Sequence, residues 1–413
     1  MRFLLDPEQR AFAASLDALL TAADTPAVVR EWSRGDHASG RALWSRLAEA
    51  GVFALAVPEA YEGLGPRPVE LAVAFMELGR HAVPGPLVET VTAAVLLAEA
   101  APGTAKRLLP ALASGETMAT VTPPRAQDAA VANDTPMPRA PQDAGVGDGA
   151  PEPRAQAATA TAGTPAPRAQ DAKVGNGAPE PRAQAATATA GTPAPRAQDA
   201  AATIGAPSPR EPTPTALQAP YALDGDVAGL RIVWEPGGVR LSPGHGPVRA
   251  SLDPARRLTP LTPGGELLGA PAEAALSRAR LATAAQALGV GLALLDRTVG
   301  HVKRRHQFGV PVGSFQAVKH RLADAKIALE FARPLVFGAA LTLRPADVAA
   351  AKVAACEAAY ATARTALHLH GAIGYTAEYD LSLWLAKARA LRTAWGAPEE
   401  CRALVVSAGD RRW

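Results

Sequence analysis

The sequence predicts an α+β chain: an N-terminal helical domain, a small middle β-domain interrupted by a disordered repeat insert, and a C-terminal four-helix-bundle domain. Three observations carry that expectation. Apolar residues recur at helical spacing at both ends of the chain, and short β-prone runs alternate with Gly/Pro turns between Tyr221 and Leu261. Between the two lies a proline- and alanine-rich tract that repeats itself. The expected boundaries are residues 1–117, 118–262 and 263–413, with the insert at about 124–212. A chain of 413 residues has room for such a division.

The first helix follows Asp6-Pro7, since proline suits a first turn, and carries Phe12, Leu16, Leu19 and Leu20 on one side. A further helix ends at Gly51, and the apolar run Val52 to Val57 then meets a proline. The Gly-rich turn Glu62-Gly63-Leu64-Gly65 precedes another helix ending near Gly79. From Pro124 to about Pro212 the string GAPEPRAQAATATAGTPAPRAQDA begins at Gly149 and again, unchanged, at Gly177. Large apolar residues there are almost confined to Val131, Met137, Val146, Val174 and Ile204. Such a tract cannot bury enough surface to offset chain entropy, and no unit carries an apolar face that could stack as a solenoid. Antiparallel strands are expected from Tyr221 onward. Beyond Pro271, Leu281, Leu288, Leu292, Leu295, Val299 and Val302 line a long helix whose many alanines suit close packing in a bundle. Ser314 is the expected N-cap of a second helix, kinked at Pro334. A third runs from Pro345 to about His370, a fourth from Leu381 to Ala394, and a last from Glu399 to Val406.

Composition excludes several function classes. A net charge of +3, spread without a basic stripe of interleaved aromatics, argues against nucleic acid. No apolar run is long enough to span a bilayer, and the N-terminus does not read as a signal peptide. With only Cys356 and Cys401, neither a disulfide framework nor a Cys-based metal site is expected, and a cytoplasmic location is the default. His368 and His370 do not share a helical face, so no metal pair is read there. Glu378 and Asp380 read as a solvated helix start.

Two segments concentrate side chains that could contact a ligand: RHQFGVPVGSFQAVKHRLAD from Arg305 and LHGAIGYTAEYDL from Leu369. Taken alone, Arg305 would complement a helix dipole and Phe308 and Phe315 would be core. Together with LWSRLAEAGVFALAVPEAYEGLG near the N-terminus, however, they resemble the acyl-CoA dehydrogenase family over nearly the whole chain outside the insert. The first segment is similar to the family's R-x-Q-F-G…F-Q signature, the second to its H-G-G-x-G-Y-T turn, and the third to its helix-turn-strand passage.

The resemblance implies an FAD-dependent α,β-desaturation of acyl-CoA thioesters. Arg305 would reach across a subunit interface to the pyrophosphate of FAD held mainly by a neighbouring chain, where its fork of donors pairs with phosphate oxygens. Gln307, Phe308, Phe315 and Gln316 would line the same region, and Gly371 and Gly374 would flank the adenine end behind His368, which replaces the family's usual glutamine. The family's base is a carboxylate in one of two places. Here Trp395 occupies one and Ala279, beside the substrate-proximal Arg280, occupies the other. Indole cannot accept a proton; Glu399, a turn beyond Trp395, is the candidate substitute. The family's Gly/Ser-rich flavin loop, expected after Met118–Thr122, is replaced by the repeats. Three readings follow: a complementing subunit of a hetero-oligomer that lacks the base, a self-sufficient homo-oligomer with a displaced base, or a binding or scaffold protein. The first two imply an acyl-CoA substrate and an electron-transfer acceptor.

Overall fold

The computed structural model describes residues 5–124, 221–235, 237–270 and 272–408. The repeats, and the disorder expected of them, lie outside the described residues.

The N-terminal part is built from α1 (Pro7–Thr21), α2 (Thr25–Ser33), α3 (Ala38–Glu49), α4 (Pro68–Arg80), α5 (Leu87–Ala98) and α6 (Pro102–Ala113). At the start of α1, the Gln9 amide N–H donates to Asp6 Oδ1 at 2.8 Å, and the Asp6 N–H donates to Gln9 Oε1 at 3.1 Å. This reciprocal capping box satisfies two of the donors that a helix start leaves open. Val52–Val57 does not form the strand implied by the resemblance. It carries a 3-10 turn at Ala54–Ala56, and a second follows at Glu59–Tyr61. The backbone there bonds to the Gly-rich turn instead of to a sheet: the Leu64, Gly65 and Arg67 amides donate to the carbonyls of Ala54, Val57 and Leu55.

The middle part holds β1 (Ala119–Val121), β2 (Tyr221–Leu223), β3 (Leu230–Glu235), β4 (Gly238–Leu241), β5 (Leu258–Pro260) and β6 (Leu267–Gly269). A four-stranded sheet runs β1-β3-β4-β6, and β2 pairs with β5 apart from it. The expected antiparallel pairing is found in β3–β4, β4–β6 and β2–β5, whereas β1 pairs with β3 in parallel, Ala119 opposite Leu230. A parallel neighbour needs a long crossover rather than a hairpin, and the interval between β1 and β3 contains the insert. The sheet also continues past residue 262 to Gly269.

The C-terminal part consists of α7 (Glu273–Arg304), a two-residue hairpin β7 (His306–Gln307) and β8 (Val310–Pro311), α8 (Gln316–Thr342), α9 (Pro345–His370), α10 (Leu381–Thr393) and α11 (Pro398–Ser407). Helix α7 packs against α4, α8, α9 and α10, so it is the common core of the bundle. Pro334 lies within α8 without ending it. Ser314 is not the cap of that helix. Its hydroxyl donates to the Pro311 carbonyl at 2.7 Å, inside a 3-10 turn, and Phe315 takes the cap position. Among the described residues no single helix is long and apolar enough to cross a membrane.

The α4–α7 contact explains two glycines. A Cβ on Gly79 would stand 2.0 Å from the Gln286 carbonyl oxygen, and one on Gly289 would stand 1.9 Å from that of Met76. Backbones this close leave no room for a methyl. Gly289→Ala is expected to cost about 1–3 kcal/mol of overpacking, or more, read as a lower urea midpoint at unchanged slope.

Candidate functional site

Arg305 ends α7 with extended backbone. Its N–H donates to the His301 carbonyl at 2.9 Å, and its carbonyl accepts from Val312 at 2.7 Å, closing the β7–β8 hairpin. Its exposed guanidinium makes no hydrogen bond or ion pair within the chain, among the described residues. Gln307, Gln316 and His368 are exposed in the same way. Phe308 is 90% exposed and Phe315 39%, which removes the core reading of both. Their rings meet edge to face with centroids 6.3 Å apart. Phe308 has φ +55°, a left-handed backbone that costs a bulky residue free energy and is usually tolerated where function needs it.

Gly371, φ +64°, opens the 3-10 turn Gly371–Tyr375, and nothing lies within 4 Å of where its Cβ would be. The buried Gly374 packs on His370 Cβ and the Leu367 carbonyl, each 3.1 Å from a would-be Cβ. The two motif segments are joined through their helices: the His301 and His370 rings stack with centroids 4.1 Å apart and planes 28° apart.

The second constellation is interior. Arg280 Nε donates to the Trp395 carbonyl at 3.1 Å, which brings Ala279–Arg280 and Trp395, the two places where the resemblance implies a base, close together. Lys352 Nζ donates to the next carbonyl, Gly396, at 2.6 Å, so α7 and α9 both hold this turn. Trp395 is 4% exposed with φ +59°. Among the described residues it and Phe308 are the only aromatic ones with left-handed backbone. Its indole Nε1 donates to Glu89 Oε1, 3.3 Å away on α5. Arg256 Nη2 lies 3.9 Å from the same oxygen, and Oε2 has no protein partner. Glu399 is exposed in the first turn of α11, whereas Glu89 and Trp395 are buried.

Sequence reasoning missed Glu89 and the charged groups around it. Burial raises the Glu89 carboxyl above the usual range, with Arg256 opposing. Lys387, whose Nζ donates to the Val83 carbonyl at 2.7 Å, is lowered by burial to about 8. Asp224, which accepts from Trp32 Nε1 at 3.2 Å, is raised by burial to about 8. Asp253 is buried with one oxygen unpaired. The only trace of this cluster in the sequence is a glutamate and a lysine on the apolar faces of α5 and α10.

Asp224 gives the cluster a pH signature. Folding raises its pKa from near 3.8 to about 8, so the folded state holds the proton more tightly. Its contribution is complete below about pH 4 and is lost as pH rises toward about 8. Asp224→Asn, which suits the left-handed backbone there (φ +52°), is expected to flatten that decline in urea titrations across this range.

Models of known families match both ends of the chain. "Acyl-CoA dehydrogenase, N-terminal domain" covers residues 6–116 and "Acyl-CoA dehydrogenase, C-terminal domain" covers residues 270–408. The chain belongs to the acyl-CoA dehydrogenase family. A relative that matches along its length is the acyl-CoA dehydrogenase IpdE2 of Mycobacterium tuberculosis, 27% identical over 95% of each chain. The short-chain specific acyl-CoA dehydrogenase of Rattus norvegicus mitochondria is 35% identical, over 32% of this chain and 33% of its own. The same acyl-CoA dehydrogenase architecture appears in solved structures. The ChsE4–ChsE5 complex of M. tuberculosis contains a chain with TM-score 0.67 and 21% identity, covering both chains fully. A glutaryl-coenzyme A dehydrogenase complexed with glutaryl-CoA has TM-score 0.68 and 18% identity, covering 100% of this chain and 98% of its own.

Proposed function

We propose that this acyl-CoA dehydrogenase chain is a complementing subunit of an FAD-dependent assembly that desaturates acyl-CoA thioesters. It lends its Arg305 edge to a flavin lodged chiefly in another chain and lacks the family's carboxylate base. One contrast carries the reading. The donors on the outward edge are unspent, whereas at the base position the indole of Trp395 is buried and already engaged with Glu89.

The edge fits a flavin nucleotide. Arg305, Gln307 and Gln316 offer exposed donors, the Phe308–Phe315 pair offers ring surface, and the space over Gly371 lets a ligand approach the backbone. Bound there, FAD would supply the hydride acceptor of the family reaction. This chain's part is to hold the pyrophosphate by charge-assisted hydrogen bonds and to orient the nucleotide. The other chain supplies the group that takes the α-proton, and an electron-transfer protein is the onward acceptor. The solved ChsE4–ChsE5 complex and the Tcur3481–Tcur3483 steroid enzyme, each named for two components, support a mixed assembly for chains of this fold.

A specific observation favours a second reading, the self-sufficient homo-oligomer. The carboxylate that the fold sets beside Trp395 is Glu89, not Glu399, and its Oε2 is free of protein partners. The flavin spectrum of the purified chain separates the readings. The complementing subunit is expected to be colourless alone and to form a yellow, acyl-CoA-reducible complex with a second acyl-CoA dehydrogenase chain co-purified from its native source. A yellow, reducible chain whose reduction is lost in Glu89→Gln establishes self-sufficiency. A colourless chain with no such partner leaves a binding protein.

A further inference from the structure

The flavin edge comes from two separate segments, the turn after α7 and the turn after α9, and nothing in either motif says what keeps them in register. The structure assigns that role to His301 and His370, as a stacked pair of positioning residues whose neutral state sets the chain's grip on the flavin nucleotide. This inference rests on the proposed edge function.

The geometry is specific. His301 lies in the last turn of α7, and its carbonyl accepts the Arg305 N–H at 2.9 Å. His370 is the last residue of α9, directly before Gly371, and Gly374 of the same turn packs on its Cβ. The 4.1 Å ring stack is therefore a side-chain bridge between the residue that would hold pyrophosphate and the turn that would flank adenine.

The pair is built to be uncharged. His370 Nδ1 faces the Ala366 carbonyl at 2.8 Å and so carries the proton of the neutral ring. Nε2 is buried without a partner, so a second proton there would be a buried donor with no acceptor. Tyr379 is the other ring against His370, at 5.7 Å. Arg304, the last residue of α7, and Arg305, its cap, act on His301. Of the acids near the pair in sequence, Asp296 is paired with Arg80 at 3.1 Å, Asp380 is engaged with Arg30 at 2.6 Å, and Glu378 lies beside Asp380. Burial lowers both histidines below their ordinary value, and His370, Arg305 and Arg304 lower His301 further. A depressed histidine stabilises the fold above about pH 6.5, and that contribution is lost as pH falls through the lower folded value. Protonation of either ring puts a cation against its neighbour and against Arg305, the residue the nucleotide needs.

The test is flavin retention by the full chain in its native assembly, measured as FAD fluorescence released between about pH 7.5 and pH 5.5. The wild type is expected to hold FAD progressively more weakly as pH falls below about 6.5, by no more than about ten-fold at about pH 5.5, the limit for one proton on a histidine of ordinary pKa. His370→Ala should weaken retention throughout the range. His370→Phe, which keeps a ring and cannot charge, should recover most of the retention and flatten its pH dependence. A melting curve for each variant separates lost grip from lost fold. If Arg305→Ala weakens retention while His370→Phe keeps the full pH dependence, the pairing role is overturned and the edge function stands. If Arg305→Ala leaves retention unchanged, both fall.

Discussion

Arg305→Ala is expected to strip flavin from the assembly while leaving the chain folded. The guanidinium is exposed and spends nothing on intrachain contacts, so its loss removes no packing and leaves no buried charge. Against pyrophosphate each charge-assisted hydrogen bond is worth about 1.5–3 kcal/mol, and a bidentate pair makes two. The affinity for FAD should therefore fall by roughly a hundred-fold or more, at about 1.4 kcal/mol per decade. Arg305→Lys keeps the charge and loses the fork, so it should recover only part of the affinity. The melting temperature measured without flavin should barely move, since Arg305 caps α7 through its backbone N–H, which alanine keeps, and exposed side-chain substitutions stay within about 0.5 kcal/mol. FAD per assembly after gel filtration, together with the FAD dissociation constant, gives the result. Unchanged retention would remove the edge function.

How much of this was legible beforehand follows from where the signal lay. Helical periodicity placed α7, α9 and α10 almost to the residue, because proline and glycine mark their ends: Pro345 opens α9 and Gly371 closes it. The proposed flavin edge was legible because it is contiguous, with Arg305, Gln307, Phe308, Phe315 and Gln316 on one hairpin and helix start. Val52–Val57 misled because an apolar run before a proline suits a strand as well as a buried 3-10 turn, and only the tertiary partners of its carbonyls decide. The parallel β1–β3 pair was hidden because about a hundred residues separate the strands. The interior cluster was hidden for the same reason. Glu89 and Trp395 are hydrogen-bonded across 306 positions, and no local pattern marks a glutamate on an apolar helix face as a partner for a distant indole.

That contact leads to the second large effect. Trp395 stands where the resemblance implies a base, but its surroundings give it structural work. The ring is buried, it supplies the donor for Glu89, and Arg280 and Lys352 fix the backbone on either side of it. Trp395→Ala should cost about 3–5 kcal/mol, the range for emptying a large aromatic site. It also removes the hydrogen-bond donor that Glu89 uses. Trp395→Phe keeps most of the volume and loses the donor, for about 1–3 kcal/mol, and urea denaturation orders the two. Catalysis separates the structural role from a catalytic one. Loss of a general base lowers turnover by roughly a hundred- to ten-thousand-fold. If the base belongs to another chain, the Trp395→Phe assembly should keep its turnover per bound flavin to within a small factor, because the indole touches no reacting atom. A base-sized loss would mean instead that the Glu89–Trp395 pair works on the substrate itself, with the indole setting the carboxylate in place.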